Sequence, residues 1–245
     1  MEKLSIFAIS DLHLSFNKPV GLYDIDAQHD IEKPMSKFGW NNHYDIIRDH
    51  WLKLVSTDDT VLIPGDISWA LKWEQAQYDF GWIAELPGKK VFSPGNHEYY
   101  YHSKKKIRNY LPKGMEWIDA DYTCVEGVVV AGTRGWMLPG DPNFQIETDQ
   151  KIYERQVGRL QLALEAAQKD YPDLPKIVML HFPPLTKHAS ESKFMEIMRS
   201  YHVTMCIYGH MHGKSADEAI QGEIDGIELR LVACDALKFC PIKIR

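Results

Sequence analysis

The sequence predicts an α/β fold, on three observations. Short β-branched runs alternate with longer stretches of helical period, the runs repeatedly end in Gly, Asp, Asn or His, and several are apolar at every position, as in strands covered on both faces. Strands are expected over residues 4–9, 60–63, 90–92, 125–131, 177–180, 204–208 and 227–232.

Between them, Ile46, Ile47, His50, Trp51, Leu54 and Val55 share one helical face after the cap-forming pair Asn41 and Asn42. Trp73, Ala76, Phe80, Ile83 and Ala84 predict a second helix, stopped by Pro87-Gly88. The longest helix carries Ile152, Val157, Leu160, Ala163, Leu164 and Ala167 and ends before Pro172, and a shorter one covers 194–200. These apolar stripes face a core. Residues 12–40 and 132–150 lack a period and are rich in Gly, Pro, Asn and aromatic residues, which predicts long structured loops of the kind that carry function.

At 245 residues, with 44% hydrophobic and 25% charged residues, the chain is expected to form one domain over 1–245. A net charge of -6 argues against loose electrostatic attraction of nucleic acid, so any phosphate affinity must be local. Met1-Glu2-Lys3 leads into an apolar stretch that soon meets Asp11 and His13, too brief for a secretory signal. No run approaches the ~18 apolar residues of a membrane span. Cys124, Cys206, Cys234 and Cys240 form no CxxC pair, which predicts reduced, packed thiols in a cytoplasmic protein rather than a zinc site. Nothing in the sequence specifies an oligomeric state.

Five segments place metal-ligand side chains after apolar runs: Asp11-Leu12-His13, Gly65-Asp66, Gly95-Asn96-His97-Glu98, His181 and Gly209-His210-Met211-His212. In extended chain, residues i and i+2 project from one face, so Asp11 with His13, and His210 with His212, are each expected to present two ligands together. Carboxylate, imidazole and amide donors without thiolate suit Mn, Fe or Zn. Two divalent ions held with the carboxylates of Asp11 and Asp66 would leave a centre of roughly +2, able to bind hydroxide and phosphate inside an acidic protein. The glycines before Asp66, Asn96 and His210 fit sharp turns or close backbone approach.

These five blocks, in this order, resemble the calcineurin-like metallophosphoesterase superfamily, whose pattern is Asp-x-His, Gly-Asp, Gly-Asn-His-(Asp or Glu), His and Gly-His-x-His. The resemblance spans residues 11–212. It implies a four-layer α/β/β/α sandwich of two mixed sheets flanked by helices. It also implies hydrolysis of a small phosphomonoester or phosphodiester by a metal-bridging hydroxide. By matching positions, it assigns Asp11, His13, Asp66 and His212 to one divalent ion and Asp66, Asn96, His181 and His210 to the other, about 3.5–4 Å apart. His97 takes the place of the family's catalytic histidine, a general acid for the leaving group. Glu98 is expected to orient the loop.

The match departs from some branches. Phosphoprotein phosphatases follow Gly-Asp with an Asp that orients the catalytic histidine and an Arg, whereas Ile67-Ser68-Trp69-Ala70 stands here, and Trp69 cannot replace the tyrosine ligand of purple acid phosphatases. Arg134 is the candidate for a direct phosphate contact, as a planar bidentate donor. Tyr99 to Tyr101 are read as packing or base-stacking residues, and Lys104, Lys105, Lys106 and Arg108 as a solvated helix face. His43, His50 and His188 are read as helix-face or loop residues, and Trp40 and Trp136 as pocket walls or packing. Two competing functions share the motif: a nuclease or nucleotide pyrophosphohydrolase, disfavoured by the acidic charge, and a metal-binding interaction scaffold, disfavoured by the intact ligand set.

Overall fold

The computed structural model describes residues 4–24 and 31–245. The parts of the N-terminal and 12–40 readings that fall on residues 1–3 and 25–30 lie outside the described residues. Eleven strands form two sheets among the described residues. The first has the order β11(Ile242–Lys243), β1(Ile6–Ala8), β2(Thr60–Pro64), β3(Lys89–Ser93), β4(Met115–Trp117), parallel except for β11 against β1. The second has the order β5(Asp121–Val125), β6(Val128–Thr133), β7(Lys176–Leu180), β8(Val203–Tyr208), β10(Ile227–Leu231), β9(Gly222–Ile224). Its edge strands β5 and β9 run antiparallel, and the four between them are parallel.

Strand periodicity divides the core into layers. Ile6, Ala8, Leu62 and Val91 of the first sheet pack against Val128, Val130, Ile177, Met179, Met205 and Ile207 of the second. The alternate residues turn outward: Phe7, Ile9, Val61, Ile63 and Phe92 pack with the buried faces of α1(His43–Leu54) and α2(Trp73–Glu85). Val178, Leu180, Cys206 and Tyr208 pack with α4(Ile146–Asp170) and α5(Lys193–Ser200). Two mixed sheets face to face, each with helices on its outer side, make the expected four layers. Among the described residues no helix is long and apolar enough to cross a membrane.

Several boundaries depart from expectation. The strand expected over 125–131 is a hairpin: Glu126 and Gly127 both take positive φ (49° and 72°), the two-residue turn that matches strand twist, so β5 folds back on β6 with Val125 opposite Val128. Asn42 does precede α1, but in the left-handed region and without a side-chain cap bond. The expected 132–150 loop is shorter, because α4 begins at Ile146, where the Asp149 carboxylate accepts the Gln145 N–H (2.8 Å) and the Trp136 indole N–H (3.0 Å). The basic run falls on α3(Lys104–Tyr110), with Lys105 and Lys106 exposed, as a solvated helix face requires. All four cysteines are free; Cys206 and Cys234 are buried, but Cys124 is exposed on edge strand β5, so packing does not explain it.

Candidate metal centre

Parallel strands deliver every candidate ligand to one end of the sandwich, the carboxyl end, where α/β sheets gather ligands. Asp11 follows β1, Asp66 follows β2, Asn96 follows β3, His181 follows β7 and His210 follows β8. The sheets are joined there by the Ser10 N–H, which donates to Val232 O (2.7 Å), while the Asp11 N–H donates to Gly65 O (3.0 Å) and ties the ends of β1 and β2 within the first sheet.

The backbone at these positions is not extended. Asp11 (φ 58°), His13 (45°), Asp66 (51°) and His210 (70°) all occupy the left-handed region, a costly conformation that concentrates at functional sites. The i, i+2 expectation is therefore met by Asp11 with His13, though not through extended chain, and is corrected for His210 with His212. Asp11 and His13 converge through a strained turn, and His210 and His212 separate, one toward Asn96 and His181, the other toward Asp11 and His13. The expectation for the glycines holds: a Cβ at Gly95 would overlap the Asp66 carboxylate, and one at Gly209 the Asp11 carboxylate.

Two clusters result. Asp11, His13 and His212 form one group with metal-ligand spacing, and Asp11, Asp66 and His181 form another. His212 Nε2 lies 2.9 Å from Asp11 Oδ1 and 3.2 Å from His13 Nε2. Asn96 Oδ1 lies 2.8 Å from His181 Nε2 and 3.0 Å from His210 Nδ1, and those two nitrogens are 3.3 Å apart. Asp66 Oδ2 is 3.3 Å from His181 Nε2 and 3.8 Å from His13 Nε2, within reach of both clusters.

These contacts fit divalent cations. The His181 Nδ1–H donates to Pro64 O (3.1 Å) and the His212 Nδ1–H to Asp235 Oδ1 (3.2 Å), so both Nε2 lone pairs turn inward. There they meet an amide oxygen, carboxylates and other ring nitrogens, groups that repel one another unless a proton or a cation lies between. The electrostatics show the same demand. Burial opposes charge on His181 and His212, yet Asp66 holds the His181 pKa up at about 9, and Asp11 with Asp235 holds His212 at about 10. Burial lowers His13 to about 4 and His210 to about 3, keeping them neutral donors. Against their own burial, the histidines hold the Asp11 and Asp66 carboxyls below the usual carboxylate range.

Glu98 fastens the turns. Its buried carboxyl accepts the N–H groups of Gly95, Asp66 (3.2 Å) and Ile67 (2.7 Å), tying the Asp66 turn to the Asn96 turn. His97 is half-buried beside them. Its main-chain N–H donates to Asp66 Oδ1 (3.0 Å), and its ring lies 4.1 Å from that of Trp69, which also stacks on His13 at 4.8 Å. A cleft of about 390 Å³ opens above His13, Asp66, His97 and His212, walled by Trp40, Trp69, Met35 and Phe38.

Other singled-out residues take supporting places. The buried His43 ring bonds Leu12 O (2.9 Å) between Asp11 and His13, and His50 bonds Phe239 O (3.1 Å). His188 and Trp136 line a separate groove that reaches His210. Tyr100 is buried, Tyr101 donates to Asp119 (2.7 Å), and Tyr99 is exposed. Arg134 stands apart from the two clusters, its guanidinium 4.5 Å over the Trp136 ring. Asp235 was not among the expected residues. Its one signal is an Asp closing the apolar run Val232-Ala233-Cys234, as Asp11 closes the run before it.

The model of the calcineurin-like phosphoesterase family matches residues 4–214. The chain belongs to this family. Metal-dependent phosphoester hydrolysis is the chemistry the family implies, and divalent metals are its cofactors. No curated protein matches the sequence. Among solved structures, the calcineurin-like phosphoesterase fold here is similar to that of the phosphopantetheinyl hydrolase of Mycobacterium tuberculosis, with 15% identity, 94% of this chain and 89% of that chain covered, and a TM-score of 0.55. It is also similar to the TT1561 protein of Thermus thermophilus, with 16% identity, 85% and 82% covered, and a TM-score of 0.50.

Proposed function

We propose that the chain hydrolyses a small phosphomonoester or phosphodiester at a centre that holds two divalent ions, Mn, Fe or Zn. The observation that carries this reading is the inward convergence of Asp11, His13, Asp66, Asn96, His181, His210 and His212, with the His181 and His212 tautomers set from outside by Pro64 and Asp235. In this reading Asp11, His13 and His212 hold one ion, Asn96, His181 and His210 hold the other, and Asp66 is shared. The bound ions supply Lewis acidity toward the phosphoryl oxygens and lower the pKa of the attacking water.

The protein's own residues do the rest. His97, at the mouth of the cleft, is the group placed to deliver a proton to the departing oxygen, and burial lowers its pKa, which makes the protonated ring a ready donor. Trp69 fixes the plane of that imidazole, the part an aspartate plays in the phosphoprotein phosphatases. Trp40, Met35 and Phe38 exclude water on one side and receive the organic group of the ester. Because one sheet supplies Asp11, Asp66 and Asn96 and the other supplies His181 and His210, residues 1–245 are read as a single domain. The four free thiols favour a reducing, cytoplasmic setting.

A panel of phosphomonoesters, phosphodiesters, cyclic nucleotides and nucleoside diphosphates, each with Mn, Fe, Zn and chelator, tests the reading. Chelator-sensitive turnover of a small ester supports it. No turnover with any metal, together with tight binding of a protein partner, would favour the scaffold instead.

A further inference from the structure

A second cleft, of about 680 Å³, opens on the other side of Asn96 and includes Lys104, Asp119, Arg134, Arg155 and Arg159 in its lining. Asn96 also lines the cleft above the metal-ligand cluster, so a molecule lying across it reaches both. The protein carries a net charge of -6, yet this lining has four cationic side chains against two carboxyls, Glu98 and Asp119.

Neither carboxyl is available to neutralise Arg134. Glu98 is engaged by the Gly95, Asp66 and Ile67 N–H groups. Asp119 is paired with Arg159 and also accepts hydrogen bonds from the Tyr101 and Thr133 hydroxyls (2.7 and 3.0 Å). Lys104 is paired with Asp121 at 3.0 Å. That leaves two guanidinium groups. Among the described residues, Arg155 on α4 has no ion pair or hydrogen bond from its side chain. The Arg134 Nε is shielded from solvent and has no partner.

Arg134 is nevertheless held firmly. Its main-chain carbonyl accepts the N–H groups of His181 (2.9 Å) and Phe182 (3.0 Å), so its backbone moves with the strand end that carries a metal-ligand candidate. Its guanidinium plane is supported by the Trp136 ring at 4.5 Å. Burial, and then the like charge of Arg155, push its pKa down further than the Asp119 and Glu98 carboxyls raise it. A buried unpaired donor costs stability unless a ligand satisfies it, and a guanidinium fork is satisfied best by a tetrahedral oxyanion.

We propose that Arg134 and Arg155 form a subsite for a second phosphate group, set across Asn96 from the metal-ligand cluster, so that preferred substrates are phosphoesters bearing another phosphate. The substrate class rests on the phosphoesterase reading; the anion subsite does not.

Two arms separate them. In the first, inorganic phosphate is titrated calorimetrically into chelator-treated protein. Arg155→Gln, a substitution on the face of α4 that lines the cleft, is expected to weaken binding about tenfold or more, as is Arg134→Gln. Equal affinity in Arg155→Gln and wild type, or no binding by wild type, overturns the subsite. In the second, kcat/KM of the Mn-loaded protein is compared for a nucleoside 3′,5′-bisphosphate and its 5′-monophosphate. Wild type is expected to prefer the bisphosphate about tenfold, and Arg155→Gln to lose that preference; an undiminished preference overturns the proposal. If neither ester turns over, the ester panel decides the phosphoesterase reading and the first arm alone decides the subsite.

Discussion

The Trp69 ring lies 4.1 Å from the His97 ring, tilted by 55°, and also stacks on His13 at 4.8 Å, the two imidazoles themselves being 5.6 Å apart. One indole therefore braces the proposed acid and a proposed metal ligand. Its own place is fixed by the Nε1–H contact to Met35 Sδ (3.2 Å) and by the Leu14 carbonyl, which accepts the Trp69 N–H (2.8 Å). Trp69→Ala should lower kcat by about 10- to 100-fold, the usual cost of losing a group that orients catalytic residues, and Trp69→Phe should recover most of it. Unchanged kcat in Trp69→Ala would separate this ring from catalysis.

His97 is expected to act on the leaving group rather than to hold metal. His97→Ala should retain metal and lose about 10²- to 10⁴-fold in kcat on esters with poor leaving groups, and far less on p-nitrophenyl esters. Loss of metal would place His97 among the ligands, and equal loss on every ester would contradict its role as the leaving-group acid.

Asp235 sets the tautomer of His212 through the 3.2 Å Nδ1 contact and also accepts the Gly213 N–H (2.8 Å). Asp235→Ala should weaken metal affinity about 10- to 100-fold, with turnover restored at high metal concentration. Competition against a fluorescent chelator reads this directly; wild-type affinity would dissociate Asp235 from the centre.

Asp79 gives a pH dependence of stability away from the ligands. It is fully buried on α2, accepts the Phe16 N–H (2.8 Å) and the Ser68 hydroxyl, and burial raises its pKa to about 7 from an ordinary 3.8. Between those values the folded chain holds a proton that the unfolded chain has released, so this contribution is complete below about 4 and is lost as pH rises through about 7. Thermal unfolding of wild type should show Tm falling from pH 5 to pH 8, with a shallower fall in Asp79→Asn. Parallel profiles would contradict the assignment.

Much of this architecture is legible in the sequence for physical reasons. Strands β2, β7 and β8 sit between sheet and helix layers, so nearly every position is apolar, and each leads to a ligand as the chain emerges. The edge strands β4, β9 and β11 span only two or three residues, too short for a period to register. The β5–β6 turn lies at Glu126-Gly127, a pair without Asn or Asp to announce it. Within the site, the ligand blocks carry recognisable spacing, whereas Asp235 and Arg155 belong to no such block. Only the fold shows that one reaches His212 and the other faces the cleft beside Asn96.

The claim of a two-metal centre is tested most directly by metal content per chain, measured by mass spectrometry alongside turnover as Mn is returned to chelator-treated protein. Activity should rise to a plateau at about two equivalents, and Asp66→Asn, which removes the shared carboxylate, should lose both. A plateau at one equivalent, or turnover indifferent to chelation, would contradict it.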